Sequence, residues 1–192
     1  MDSNVTHETR EEFWSRLQRE QAIWVAHNFG NRPAYQPLLG IVEELGELAE
    51  AKTADDKADA VADVMIFMSD YCNALGIGDV NMAALVAAAD REASMSSTVV
   101  IVGRLAHAAL KREQGIRGDR SEHERAIARE LAHIIANMQM RAGSLGTSLE
   151  KLVAGVWARV RERNWKCRAP GCGQMLEDNT RSHCDAHTRG AA

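Results

Sequence analysis

The 192-residue chain lacks any apolar run that approaches the ~20 residues needed to span a bilayer. Aromatic residues make up only 5% of it, and the alternating apolar and polar pattern of half-buried strands is nearly absent. Its net charge of -4 provides no excess of basic residues for broad nucleic-acid binding. These absences argue against a membrane-spanning protein and an all-β fold.

Helix-forming residues fill the chain instead, since Ala, Leu, Glu and Arg recur throughout and predict an all-α protein. Helices are expected at about 6–28, over two acidic segments between 37 and 75, at about 81–93 and at about 148–165, with helical hairpins between 98 and 146. The N-terminal segment MDSNVTHETREE is polar and acidic, unlike a signal sequence. A cytoplasmic protein is the resulting prediction.

Residues 40–51, GIVEELGELAEA, form an amphipathic helix pattern with one acidic side. Each helical residue advances about 100°, so Glu43, Glu44 and Glu47 fall within an arc of about 100°. The opposite arc is apolar and consists of Ile41, Leu45, Leu48 and Ala49. Such a side is typical of a solvated helix face, but its geometry also suits a carboxylate site for a hard cation.

The segment 59–75, DAVADVMIFMSDYCNAL, is apolar over most of its circumference, which predicts a buried helix. Asp59, Asp63 and Asp70 nevertheless follow one narrow stripe of this helix. Buried carboxylates need compensation by Arg, by Lys or by a metal ion. A short loop near Asp55 and Asp56 joins the two acidic helices, so we expect them to pack antiparallel with their acids facing. Mg²⁺ and Mn²⁺ prefer such all-oxygen ligands.

These residues carry a family resemblance. The EExxE pattern of Glu43, Glu44 and Glu47, followed by Asp63 on the next helix, resembles the all-α nucleoside triphosphate pyrophosphohydrolases. That superfamily includes MazG-like proteins, dCTP pyrophosphatases and dimeric dUTPases. The resemblance covers roughly residues 13–78 and extends to Trp24, Asn28 and Phe29 and to the stretch PLLGIVEELGEL at 37–48.

One position departs from the family pattern. The family has a Glu three residues before its Asp, and this chain has Ala60 there. Asp59, one residue earlier and one helical turn from Asp63, is the candidate replacement. If it does not replace the Glu, metal affinity or activity is in doubt.

The resemblance implies a metal-dependent hydrolase that cleaves a (deoxy)nucleoside triphosphate between its α and β phosphates, giving the monophosphate and pyrophosphate. Mg²⁺ or Mn²⁺ would neutralise the triphosphate and lower the pKa of an attacking water.

The implied catalytic residues are Glu43, Glu44, Glu47 and Asp63. Glu44, Glu47 and Asp63, with Asp59, are the implied metal ligands, and Glu43 is a further ligand or the base that orients water. Trp24 and Asn28 are the implied contacts to the base, and Arg159 and Arg163 are candidate phosphate contacts.

The second half of the chain weakly repeats the first. Residues 46–51 align with 103–108, and the spacing from Asp63 to Gly76 equals that from His133 to Gly146. The acids are absent from this copy: Val100, Ile101, Arg104, Arg129 and His133 stand where the first copy has Glu43, Glu44, Glu47, Asp59 and Asp63. Glu130 falls at the position of Ala60 and is predicted to be an ordinary surface acid.

Chance similarity between Ala- and Leu-rich helices is the alternative to a true repeat. If the repeat is real, the chain is a tandem pseudo-dimer of the helical-bundle type. Residues 1–93 are then the catalytic MazG-like unit, and 98–166 are a degenerate unit that completes the bundle.

The tail, 167–192, has the composition of a zinc site. Cys167 and Cys172 have Cx4C spacing around a Pro-Gly turn, and Cys184 and His187 have CxxH spacing. His183 competes as the fourth ligand, and a disordered tail with free thiols is the alternative. So short a segment has no room for a core, so a structural Zn²⁺ would fold it.

The leading functional prediction is therefore a nucleotide pyrophosphohydrolase with Mg²⁺ or Mn²⁺ and a structural Zn²⁺. Two rival hypotheses stay open: a catalytically impaired nucleotide sensor, favoured by Ala60, and a nucleic-acid-binding zinc protein on a helical scaffold. The predicted partner is a nucleoside triphosphate, and no association with a membrane is expected. Homo-oligomers are compatible with the pattern. Binding of nucleic acid is expected only through the zinc tail. Base and sugar preference are not encoded by any of these patterns.

Overall fold

The computed structural model describes residues 8–78, 80–91, 97–169 and 171–184. The helices in these ranges are α1 (Arg10–Phe29), α2 (Tyr35–Glu50), α3 (Ala54–Leu75), α4 (Met82–Ala89), α5 (Thr98–Gln114), α6 (Arg120–Ser144) and α7 (Leu149–Val160). The same ranges hold no strand, apart from an isolated β-bridge between Lys166 and Met175. The all-α prediction is confirmed for these residues, none of whose helices is long and apolar enough to cross a membrane.

Helix α3 is the centre of the bundle, because it packs against α1, α2, α4, α6 and α7. Its buried apolar residues surround most of the helix, as the sequence predicts. They are Ala60, Val61, Ala62, Val64, Met65, Ile66, Met68, Tyr71, Cys72 and Leu75. The later acids of α3, Asp63 and Asp70, are therefore at least partly buried against other helices, whereas Asp55, Asp56 and Asp59 in its first half are exposed.

The turn between α2 and α3 is shorter than expected and ends before Asp55 and Asp56, which belong to the first turn of α3. Thr53 begins the helix because its side chain accepts a hydrogen bond from the Asp56 backbone N–H at 3.0 Å. Asp56 in return accepts one from the Thr53 backbone N–H at 3.2 Å. This capping box fixes the start of α3 at Ala54.

Helices α2 and α3 form an antiparallel hairpin, as predicted. Gly40 near the start of α2 lies against Phe67 well into α3, so that a Cβ at position 40 would overlap the Phe67 ring. Glu44, one turn later on α2, interacts with Asp63, one turn earlier on α3. The two helices therefore run past each other with their acidic sides within electrostatic reach of each other.

Helices α5 and α6 form a second hairpin, and α6 packs against α3, α4 and α7. Glu130 on α6 is not the surface acid that the sequence predicts, because it is only 1% exposed. Its carboxylate accepts a hydrogen bond from Arg129 Nε at 3.0 Å and lies 3.3 Å from His133 Nδ1. Burial of a carboxylate is tolerated here because these neighbours compensate it. The duplication itself stays a prediction.

Helix α7 ends at Val160, five residues before the predicted end at Trp165. The chain after it turns and makes hydrogen bonds to α1 in place of helical ones. Trp165 N–H donates to Asn28 Oδ1 at 2.8 Å, and the Arg163 carbonyl accepts from Trp24 Nε1 at 3.0 Å. These contacts between distant parts of the chain end the helix early, and local periodicity carries no signal for them.

Candidate active site and cysteine centre

The acidic sides of α2 and α3 meet in one place, which brings together the carboxylates that the sequence singled out. The pKa of Glu44 is raised to about 7, first by burial and then by the negative charges of Asp63, Glu47, Glu43 and Asp59, in that order. All five predicted acids therefore lie within electrostatic reach of one another. Glu44 and Asp63 are half-buried, whereas Glu43, Glu47 and Asp59 are exposed.

Asp63 is the acid of α3 at the centre of this group. The pKa of Asp63 is raised to about 6, first by burial and then by the charge of Asp59. The cations Arg163 and Arg159 act in the opposite direction and lower it. The two arginines that were candidate phosphate contacts thus both lie within electrostatic reach of Asp63.

The half-buried acids of this group have no ionic partner of their own. Within the described part of the chain, neither Glu44 nor Asp63 makes a side-chain hydrogen bond or ion pair, and the same holds for Glu47. Other partly buried carboxylates of the fold are paired: Glu150 with Arg10, and Glu20 with Arg16. The charges of Arg163 and Arg159 offset part of the cost for Asp63, and a cation bound between the acids would offset the rest.

This cost predicts a specific dependence of stability on pH. Since the pKa values of Glu44 and Asp63 are raised on folding, the folded state holds more protons than the unfolded state between the unfolded and folded pKa values. The free energy of unfolding should therefore fall as pH rises from about 5 to about 8, in the absence of added divalent cation. Thermal unfolding across this range measures the effect.

Glu44→Gln is the matched variant for this test, because it removes the titrating group with the largest raised value while keeping the shape of the side chain. The variant should lose less stability than the parent between about pH 5 and pH 8. Equal pH profiles for parent and variant would show that Glu44 ionises as freely as a solvated acid. Added Mn²⁺ should reduce the parent's loss at the upper end of the range, because it binds the ionised form.

A cleft of about 980 Å³ opens beside the acids, between α3 and α7. Glu47, Asp59 and Asp63 line its acidic side, and Lys151 and Arg159 of α7 line the other. The remaining lining residues are Glu50, Ala51, Lys52, Asp55, Asp56, Ala58, Ala60, Thr147, Leu152, Gly155 and Val156. Opposed acidic and basic walls suit a ligand that is itself an anion bound to a cation, such as a metal-bound phosphate chain.

Asp59 bridges the two walls of the cleft. Its Oδ1 accepts a hydrogen bond from Arg159 Nη2 at 2.6 Å, and both side chains are more than half exposed. Ala60, at the position where the resembled family has Glu, is buried in the core and lines the floor. The chain thus has a carboxylate one residue from the family position, and that carboxylate is held by an arginine.

Asp70 does not belong to this site, although the sequence places it on the same stripe of α3. It is 2% exposed and forms an ion pair with Arg32 from the loop between α1 and α2. The Arg32 guanidinium also lies over the Phe29 ring, 5.0 Å from its centre. Asp70 is therefore compensated by arginine, one of the three possibilities that the sequence left open.

Trp24 and Asn28, the predicted contacts to a base, make internal contacts in the described structure. Asn28 is fully buried, donates through Nδ2 to the Trp24 carbonyl at 3.0 Å, and accepts from Trp165 N–H. Trp24 packs edge-on against Phe29 and Trp157. The amide of Asn28 and the indole N–H of Trp24 are thus used in joining α1 to the chain after α7.

A second candidate site is formed by the cysteines of the tail. One sulfur each from Cys167, Cys172 and Cys184 lies within 4.8 Å of the others, and this is the one such group of potential metal ligands among the described residues. Cys172 Sγ and Cys184 Sγ are 3.6 Å apart, and the Cys184 backbone N–H lies 3.4 Å from Cys167 Sγ. The arrangement can bind a metal such as zinc.

Of the two histidines predicted as the fourth metal ligand, only His183 lies within the described residues. His183 is described, and its Nδ1 lies 2.8 Å from Ser182 Oγ, but it does not join the three sulfurs in their group. His187, the predicted fourth ligand, lies outside the described residues. Cys72, predicted to be a packing residue, is 2% exposed in α3.

Two residues of α7 that line the cleft, Lys151 and Gly155, were not predicted as site residues. Lys151, Gly155 and Arg159 are four residues apart, so they form one stripe that faces the cleft. Gly155 lies inside a helix, where glycine costs about 1 kcal/mol relative to alanine, and a Cβ there would meet nothing within 4 Å. The spacing of the stripe was readable from the sequence, but the wall that it faces was not.

No protein-family model, curated protein or solved structure matches the chain. The resemblance to the all-α pyrophosphohydrolases therefore depends on the sequence motifs of α1, α2 and α3 alone.

Proposed function

We propose that the protein is a metal-dependent nucleoside triphosphate pyrophosphohydrolase, which cleaves its substrate to the nucleoside monophosphate and pyrophosphate. The observation that carries the proposal is the pair of half-buried carboxylates, Glu44 and Asp63, whose charges interact and which form no ion pair within the described part of the chain. Their position beside a cleft with a basic opposite wall supports a substrate with a charged phosphate chain. The all-oxygen donor set fits Mg²⁺ or Mn²⁺ better than a softer metal.

In this proposal Glu44, Glu47 and Asp63 hold the metal ion, and Asp59 is a further ligand. When bound, the ion neutralises phosphate charge and makes a water molecule more acidic. Glu43 is the remaining acid of the group and accepts a proton from the attacking water or orients it. Arg159 and Lys151 fix the phosphate chain against the acidic wall, and they stabilise the charge that the departing pyrophosphate gains.

A nucleotide sensor without turnover is the second candidate, because Ala60 is buried and supplies no carboxylate. A panel of ribo- and deoxynucleoside triphosphates with Mg²⁺ or Mn²⁺, assayed for pyrophosphate release, separates the two functions. Turnover of at least one substrate supports the hydrolase. Binding of a triphosphate without pyrophosphate release identifies the sensor, and absence of both binding and release overturns the two proposals together.

Arg159→Gln tests the basic wall. The variant loses the hydrogen bond to Asp59, so Mn²⁺ alone should bind several-fold more tightly, since Asp59 no longer has an arginine as competitor. Binding of a triphosphate should weaken about tenfold, because a charge-assisted contact to phosphate is lost. Calorimetric titrations with Mn²⁺ and with a non-hydrolysable triphosphate analogue measure the two effects.

Arg161→Gln is the matched control for this variant. Arg161 is also exposed, but it lies near Glu20 and Glu162 and does not line the cleft. It should change neither titration by more than a small factor. Equal effects of the two substitutions would mean that net charge, and not the cleft, determines binding.

We also propose that the cysteine centre binds Zn²⁺ structurally, with His187 as the fourth ligand. The support is the convergence of three sulfurs and the preference of thiolates for zinc.

A further inference from the structure

The cysteine loop is folded around very little apolar surface. In residues 166–169 and 171–184 the buried side chains are Cys167 and Leu176. Its backbone order comes from a few hydrogen bonds, namely Cys167 N–H to the Gln174 carbonyl at 2.9 Å, Leu176 N–H to the Trp165 carbonyl at 2.8 Å and Arg168 N–H to the Ser182 carbonyl at 2.8 Å. So small a unit requires a covalent or metal crosslink to stay folded.

A disulfide does not meet this requirement. One disulfide would join only two of the three sulfurs and leave the third out, although all three converge. One metal ion, in contrast, can bind all three sulfurs at once, since they already lie within 4.8 Å of one another. A bound metal ion would therefore supply the crosslink, and the fold of the loop would depend on metal occupancy.

The loop is attached to the helical bundle through Trp165. The carbonyl of this residue accepts from Leu176 within the loop, and its N–H donates to Oδ1 of Asn28, which is fully buried in α1. Its ring lies against Phe29, with 6.4 Å between the ring centres. One residue thus belongs both to the metal-dependent loop and to the packing of α1.

Arg163 is two residues before Trp165 on the same connecting segment. Its carbonyl is held by Trp24 Nε1 at 3.0 Å, and its charge acts on Asp63 at the carboxylate site. Both ends of the segment are fixed, because α7 ends at Val160 and Trp165 is bound to Asn28. Release of Trp165 would leave Arg163 bound to Trp24 and, through its own backbone N–H, to the Val160 carbonyl at 3.0 Å, so the chain after Arg163 would be freed.

We propose that a zinc ion bound by Cys167, Cys172 and Cys184 fixes Trp165 on Asn28 and thereby attaches the cysteine loop to α1. The cysteine centre then controls how the chain after α7 packs on the bundle, and is not only a stabiliser of the tail. Loss of the zinc ion leaves the bundle folded, because the buried residues of α3 and α6 do not depend on it. The same loss frees the segment between α7 and the loop.

Hydrogen exchange of the full-length protein tests this directly. We compare the zinc-loaded parent, the parent treated with a chelator, and Cys172→Ser, with metal content measured on each sample. Without zinc, the Trp165 amide should exchange at least about tenfold faster, as expected for local opening. Amides in the middle of α6 should be unchanged, and zinc added back to the chelated parent should restore protection.

Glu177→Gln is the matched control, since Glu177 is exposed in the same loop and supplies no sulfur. It should retain both zinc and the slow exchange of Trp165. A purified parent that binds no zinc overturns the proposal, and so does unchanged Trp165 exchange after complete removal of the metal. Because no readout involves turnover, the result stands or falls independently of the proposed hydrolase activity.

Discussion

Glu47→Gln should reduce pyrophosphate release at least about a hundredfold, since changing even an indirect partner of a metal ligand typically costs ten- to a hundredfold. Glu47 lines the cleft and its charge acts on both Glu44 and Asp63. The substitution preserves the length of the side chain and removes only its negative charge. Steady-state kinetics with the best substrate of the panel, together with a Mn²⁺ titration, measures the loss of rate and of metal affinity.

Glu50→Gln is the control that makes this result specific. Glu50 lies three residues later on α2 and also lines the cleft, but it is not among the acids that raise the pKa of Glu44 or Asp63. Its loss should change rate and metal affinity only slightly, as expected for a screened surface charge. If both variants lose activity equally, the acids act through their summed field and no discrete metal site is needed.

The position of the acids was predictable because it depends on short-range rules. The period of an α-helix places Glu43, Glu44 and Glu47 on one side of α2. A turn of a few residues forces α3 back along α2, which brings Asp63 opposite Glu44. Each step uses residues that are close in sequence, and the structure agrees with each of them.

Contacts between distant segments were not predictable in the same way. Arg32 and Arg159 are both ordinary arginines in the sequence, yet the first is bound to Asp70 and the second to Asp59. Which acid each arginine binds depends on the loop or helix that lies next to α3, and the packing of the whole bundle determines this. For the same reason the early end of α7 follows from the binding of Trp165 to Asn28, and not from any helix-breaking residue.

The contact between Gly40 of α2 and Phe67 of α3 predicts a large loss of stability when a methyl group is added at position 40. Gly40→Ala should lower the free energy of unfolding by about 1–3 kcal/mol relative to Gly46→Ala, because the added methyl overlaps the ring of Phe67. Both substitutions remove a glycine from α2, so both gain the same helix propensity of about 1 kcal/mol. The Gly46 site is open, with nothing within 4 Å of an added Cβ, so the difference between the variants isolates the steric cost. Urea unfolding of the two variants and the parent measures it.

The same steric contact should also affect the affinity for a metal ion. Gly40 precedes Glu44 by one helical turn, and Phe67 follows Asp63 by one turn, so a methyl at position 40 separates the helices next to the paired acids. Gly40→Ala should therefore weaken Mn²⁺ binding, whereas Gly46→Ala should leave it unchanged. Adding Phe67→Leu to Gly40→Ala should recover part of both losses, since the two positions are in direct contact. If Gly40→Ala lowers stability without weakening Mn²⁺ binding, the acids do not depend on the spacing of α2 and α3, and a metal site shared between these two helices is ruled out.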